Sequence, residues 1–368
     1  MGQWRAVDAD GHVREEHIDW AARLAPEYRD RAPKMHPDEH GLTNWIIDDL
    51  RFPSPAYEGK GRWVSNDVPI GANPKGMTDP LARLPDMDTE DIDIAVLYGT
   101  SIAFHCNSTD DWRYSLAIEQ AWNDWAAEYC SADPARLKFA ALVPVGEPRA
   151  AAEEAERAVR ERGATGITVL PNYRGRALDS SYFDPLYAAC ERLGVPLCVH
   201  GITGSRHWVQ TIGAHENWLI THALAFPMGL IHGLASVVCG GVLERFPSLR
   251  VAFLEGGCGW LPFFMDRLDE HVEKLPSLAP ALTKLPSEYI KGGRLFVSCE
   301  PEEDLAYPIE RLGEDVLMYA SDYAHWDCEF PNSVRKIGER EELTDTQKAK
   351  ILRENALRCY GLRVPATV

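Results

Sequence analysis

Eight short apolar runs, separated by amphipathic segments, constrain this chain more than any other feature. They lie near 5–9 (RAVDA), 93–99 (DIAVLYG), 138–145 (KFAALVPV), 166–171 (GITVLP), 195–200 (VPLCVH), 250–255 (RVAFLE), 294–299 (RLFVSC) and 316–321 (VLMYAS). Most are continuously apolar rather than alternating, as strands covered on both faces of a parallel sheet are. Helical patterns fill the gaps at 115–131, 147–163, 183–194, 219–244, 260–275, 302–312 and 344–361. The second of these has Pro148 near its start and Gly163 just past its end, the asymmetry expected of a helix. Eight strands alternating with helices point to a closed α/β (β/α)8 TIM barrel; an open doubly wound sheet is the competing arrangement. The 368 residues then form one domain, 1–368, a size such barrels reach as single units.

About 80 residues separate the first strand from the second, far more than a connection needs. This insertion, about 14–88, holds Trp45, Trp63 and many Pro and Gly. In a barrel it emerges at the C-terminal face. It reads either as a cap shaping an aromatic substrate pocket or as a packing or oligomer arm. The formal net charge of -18 argues against nucleic acid or an anionic membrane as partner. No apolar run reaches the about 18 residues of a membrane span. The nine cysteines form no CxxC pair and several sit in apolar runs, so they read as free thiols of a cytoplasmic protein. MGQWRAVDADGHV, charged from the start, has no signal-peptide core.

Chemistry in such barrels sits at the C-terminal strand ends. The first strand delivers Asp10 and His12, with Glu15 and Glu16 following; the fifth delivers His200, the sixth Glu255, the seventh Glu300 and the eighth Asp322. Singly, each has a plain explanation: a hydrogen-bonded core histidine, or a helix N-cap for Asp322. Together they are metal ligands by type, oxygen and imidazole without thiolate, and a shared cation would relieve the cost of gathering buried charge. Asp10 and His12, two apart on an extended segment, are expected to face one ion. Asp8, one step deeper, reads as a structural carboxylate. His207, His215, His222 and His232 crowd the stretch after strand five, with His222 favoured for its position.

Asp10-Gly11-His12, VPLCVHG, GGVLERFPSLRVAFLEGG and SDYAHWD resemble the amidohydrolase superfamily, in its amidohydrolase-related (family 2) branch, over nearly the whole chain. The resemblance implies a metal held by the first-strand pair, His200 and Asp322. Two departures stand out. Glu255 occupies the strand-six position where the family commonly places His, and strand four, ending GITVLPN, lacks the bridging Lys or acid of dinuclear hydrolases. The chain also resembles amidohydrolase-fold, non-haem diiron monooxygenases. That likeness carries over to His12, His200, Glu255 and Asp322 as ligands, and adds Glu15, His222 and Glu300 as candidates.

Three chemistries compete. The leading expectation is O2 activation at two irons, hydroxylating a hydrophobic acid or acyl thioester, which the surplus carboxylates suit. The alternative is a mononuclear Zn or Mn enzyme, either a hydrolase with Asp322 as base or a non-oxidative decarboxylase of an aromatic or enoic acid. From a different class, a catalytically silent binding barrel would show no bound metal. Trp260 and Trp326 are candidate substrate contacts, as is Arg206; Arg174 and Arg176 also lie in the right loops to hold an anion. A homodimer is expected from family likeness.

Overall fold

The computed structural model describes residues 4–37, 43–53, 74–100, 102–201, 218–323, 325 and 328–363. Each of the eight apolar runs is a strand: β1 (Ala6–Val13), β2 (Ile92–Gly99), β3 (Leu137–Leu142), β4 (Gly166–Val169), β5 (Leu197–His200), β6 (Val251–Leu254), β7 (Leu295–Cys299) and β8 (Leu317–Tyr319). They pair in sequence order and in parallel. Backbone hydrogen bonds from His12 N to Tyr323 O (2.9 Å) and from Asp322 N to Asp10 O (3.1 Å) join the ends of β8 and β1. The sheet is therefore the eight-stranded barrel, not the open sheet.

Helices α1 (Pro80–Thr89), α2 (Trp112–Cys130), α3 (Pro148–Arg162), α4 (Asp184–Leu193), α5 (Trp218–Cys239) and α6 (Trp260–Lys274) surround it. The glycines after α3 and α4, Gly163 (φ 78°) and Gly194 (φ 69°), close those helices in the left-handed conformation. Two apolar layers result. Val7, Ala9, Ile94, Val96, Tyr98, Cys198, Phe296 and Met318 fill the barrel interior together with Tyr360 near the C-terminus. Small and large side chains alternate there, so the barrel is a packed core and not a pore. The larger cluster lies between the strands and the helices.

Helix α5 departs from the sequence expectation about membranes. Its Leu219–Cys239 portion is long and apolar enough to cross a bilayer by length and composition, with a mean hydropathy of 1.5. Here it packs against β5, β6 and α6 as a barrel helix, with Leu230, Leu234 and Val237 fully buried.

Within the insertion, Lys34–Pro37, Thr43–Ile47 and Leu50–Pro53 form a small antiparallel sheet. Its Trp45 is buried in the main core with Ile47 and Phe52, so this tryptophan packs the insertion onto the barrel rather than lining a pocket. Trp63 lies outside the described residues.

Candidate metal centre

The first strand is where the local sequence decides the site. Val7 and Ala9 point into the barrel. Strict alternation would then turn Gly11 inward and His12 outward. The register to β2 shifts instead: Asp8 pairs with Ala95 but Gly11 with Leu97, so β1 carries one extra residue between them. This bulge reverses the parity and turns His12 toward the barrel mouth. Asp10 and His12 do converge, but through the bulge and not by simple alternation. Gly11 is required at the turn-over, because a Cβ there would sit 2.5 Å from Arg83 Nη2 and 2.6 Å from Asp8 Oδ2.

Asp8 is the structural carboxylate beneath the site. It accepts from Ser321 N (2.9 Å), Ser321 Oγ (2.6 Å) and Asp10 N (3.2 Å). Burial pushes its pKa up, while these bonds and the Arg83 charge pull it down; the net shift is upward. Arg83, buried in α1, donates to His12 O (2.7 Å) and lies over the Tyr323 ring. The pair thus fixes the backbone of β1 and of the segment after β8 together.

Above this support the ligand-type side chains meet. His12 Nε2 lies 3.5 Å from Asp10 Oδ1, 3.4 Å from Glu255 Oε2 and 3.6 Å from Asp322 Oδ1. His200 Nε2 lies 3.5 Å from Asp10 Oδ1 and 3.0 Å from Glu255 Oε2. The two rings are oriented from behind, His12 Nδ1 by Gly99 O (3.1 Å) and His200 Nδ1 by Gly201 O (2.6 Å). A carbonyl only accepts, so each Nδ1 carries hydrogen and each Nε2 is left as the ligand atom facing the centre. Glu255 (φ 58°) and Asp322 (φ 48°) both hold left-handed backbone, a strained conformation for such residues that fixes where their carboxylates point. Glu255 N is tied to Ser298 Oγ at 3.0 Å.

These atoms make two overlapping groups, Asp10–His12–His200–Glu255 and His12–Glu255–Asp322–His325, with the ligand atoms of each within 4.8 Å of one another. Asp10 Oδ1, His12 Nε2 and His200 Nε2 are buried without a hydrogen bond of acceptable geometry. Burying such atoms unsatisfied is costly. The charge balance says the same. Burial alone would lower the His200 pKa, but the Asp10 and Glu255 carboxylates outweigh it and raise it to about 10. Glu255 is held well below the usual carboxylate range; burial opposes this, and the His200 and His12 imidazoles overcome it. A centre that binds a proton this firmly demands a positive charge, and a divalent cation meets the demand with ligands of the right type.

His325 was not anticipated as a member. Its Nδ1 is 2.6 Å from Asp322 Oδ1 and its ring lies against His12 with centroids 4.2 Å apart. Its pKa is pushed well below the imidazole range by burial and then by the His12, His200 and His222 imidazoles, with Glu255 opposing. The available signal was the Asp-x-x-His spacing of SDYAHWD, which a tight turn after β8 converts into contact.

Other expected residues are placed elsewhere among the described residues. Glu15 belongs to neither group; it accepts from Thr100 N (3.0 Å) and Ala103 N (3.4 Å), anchoring the segment after β2. Glu300 also belongs to neither, and its N–H is bonded by Glu303 Oε1. His222 packs on Phe226 and belongs to neither group, while His232 is exposed. Trp260 donates its indole N–H to Gly257 O and packs on the main core. Arg174 is engaged by Ser108 O, Thr109 O and Asp110, and Arg176 lies over Tyr182. His207, His215, Arg206 and Trp326 lie outside the described residues.

A closed parallel barrel carrying an imidazole–carboxylate cluster at its C-terminal mouth defines a metal-dependent enzyme of amidohydrolase fold. Comparison with known proteins gives the family: the amidohydrolase profile matches residues 7–362, and the chain belongs to that family. It is similar to the 2-amino-3-carboxymuconate-6-semialdehyde decarboxylase of Dictyostelium discoideum, 27% identical over 83% of this chain and 86% of the relative. It is similar to the gamma-resorcylate decarboxylase of Rhodococcus jostii, 25% identical over 76% and 87%. An amidohydrolase from Mycobacterium avium subsp. paratuberculosis has the same fold, with a TM-score of 0.80 at 22% identity over 98% and 100% of the chains. So has a 5-carboxyvanillate decarboxylase from Novosphingobium aromaticivorans with bound manganese, with a TM-score of 0.69 at 22% identity over 98% of each. These comparisons give no support to the expectation of two irons and O2 activation. The named activities are decarboxylations, in line with the Zn or Mn alternative.

Proposed function

We propose that this protein is a mononuclear, Zn- or Mn-dependent, non-oxidative decarboxylase of an aromatic or enoic acid. The observation that carries the reading is the thiolate-free cluster of buried, unsatisfied imidazole and carboxylate atoms at the barrel mouth, in a chain whose relatives over most of its length are decarboxylases. Asp10, His12, His200 and Asp322 would hold the ion. The ion would supply Lewis-acid polarisation of the substrate carboxylate and a neighbouring oxygen.

The rest of the task falls to protein side chains. Loss of CO2 replaces a C–C bond by a C–H bond, so a proton must reach the carbon that the carboxylate leaves. Glu255, held as an anion, is poorly suited to give one. His325, held neutral by burial and the neighbouring imidazoles and oriented by Asp322 at 2.6 Å, gives up readily any proton it takes from solvent, and takes the donor role that the family's strand-six histidine would have. Glu255 Oε2, 3.4 Å from His12 Nε2 and 3.0 Å from His200 Nε2, would instead join these residues on the ion and balance its charge.

The test is to load the metal-stripped protein with Zn or Mn and incubate it without oxygen, in D2O, with hydroxybenzoic and enoic acids. The expected result is CO2 release with one deuterium in the product. Turnover that needs O2, or two irons per chain in the active protein, would overturn the reading.

A further inference from the structure

A second cavity opens at the same end of the barrel, one strand away from the ligands. It opens to solvent at its mouth and is walled mostly by apolar side chains. Its walls come from the ends of β3 and β4 and from α4, with Leu142, Val169, Leu186 and Tyr187 among the lining residues. Val169 pairs with Val199, the residue before the ligand His200. Phe104 joins the two places: it lines the cavity, and its ring stacks on His200 with centroids 4.4 Å apart and planes at 28°.

The chemistry of the lining is selective. Arg174, the cation at its edge, is engaged through its two terminal nitrogens by two carbonyls and Asp110, while its Nε is buried without a hydrogen-bond partner. Thr168 is a second unsatisfied group in a mostly apolar wall. It is 6% exposed, and its Oγ1 is buried with no hydrogen-bond partner. An unmade hydrogen bond in an apolar wall is unfavourable until a ligand supplies it. The Asn107 amide, also in the wall, is bonded to Glu119 (2.8 Å) and Val143 O (3.1 Å).

We propose that this cavity is an apolar subsite for the body of the substrate, with Phe104 as the boundary to the metal centre and Thr168 as a hydrogen-bonding group in its wall. The substrate class is then an amphiphilic acid larger than a single ring. Its carboxylate is held among the ligands, and its hydrocarbon or aryl body passes Phe104 and carries a hydroxyl or carbonyl to Thr168. The assignment rests on the decarboxylase reading only for which group is held at the metal.

The probe is a series of neutral phenols, 4-ethyl-, 4-butyl- and 4-hexylphenol, titrated calorimetrically into the metal-stripped protein. Affinity should rise about fourfold per methylene until the cavity is full. Val145→Phe, which places a ring in the cavity, should abolish that increment. Thr168→Val should weaken every member about fivefold and keep the increment. In the metal-loaded enzyme, kcat/KM for 4-alkyl-2,6-dihydroxybenzoates should rise with chain length, and V145F should lose the rise. Affinity independent of chain length, or an increment that survives in a V145F protein of wild-type melting temperature, overturns the subsite. So does turnover of short and long acids with equal kcat/KM. Failure of the loaded enzyme to release CO2 from any acid would instead sink the decarboxylase reading, and the phenol series would still decide the subsite.

Discussion

The affinity for the metal should climb with pH, and the structure sets the slope. In the absence of a cation His200 titrates at about 10, against an ordinary 6.5, because Asp10 and Glu255 stabilise its charged form more than burial opposes it. At neutral pH it therefore carries a proton on the nitrogen that must bind the metal. Metal binding has to expel that proton, so the apparent affinity rises tenfold per pH unit below about 10 and levels off above it. Three pH units separate 7 from 10, so the apparent affinity at pH 7 is roughly a thousandfold below the plateau, about 4 kcal/mol. Competition against a chelator of known pH behaviour, with Zn at pH 7, 8 and 9, reads this directly. Glu255→Gln gives the internal check: removing one of the two anions lowers the His200 pKa, so the plateau begins at lower pH. An affinity flat from pH 7 to 9, or a slope unmoved in E255Q, would refute the argument that these two carboxylates hold the His200 proton.

The same shift has the opposite sign for folding. A raised histidine pKa contributes stability that is complete below 6.5 and is lost as pH rises through about 10, so urea unfolding of the metal-stripped protein should show stability falling from pH 7 to 10. His200→Ala should lose metal and activity together; stoichiometric metal in the purified variant would remove it from the ligand set. Gly11→Ala forces a Cβ against Arg83 and Asp8 where neither can move freely, and overpacking of this kind costs about 1–3 kcal/mol, measurable by urea unfolding with metal bound. His325→Gln should lower kcat about a hundredfold while metal content stays at wild type; loss of metal instead would make His325 a ligand rather than the proton donor.

Much of the architecture was written in local pattern. The eight apolar runs and the helices between them follow from periodicity, which depends only on near neighbours in the chain, and each run became a strand within a few residues of its expected limits. Asp10, His12, His200, Glu255 and Asp322 were visible as ligand types at strand ends for the same reason, because a parallel barrel sends every strand end to one rim. Pairing decided the rest. Only the register against β2 shows that β1 bulges, and the bulge is what turns His12 to the centre. Asp8 and Ser321, 313 positions apart, lock the first and last strands together, and nothing local to either residue announces the partner. Glu15 had the right chemistry and an adjacent position, yet its carboxylate is taken by two backbone N–H groups that only the fold brings near. His325 looked like a bystander until the left-handed turn at Asp322 folded it back. Sequence by itself determined which elements form and which side chains can reach the rim. Tertiary structure decided which of them share one centre, because that depends on ring closure and on which buried charges find another partner first.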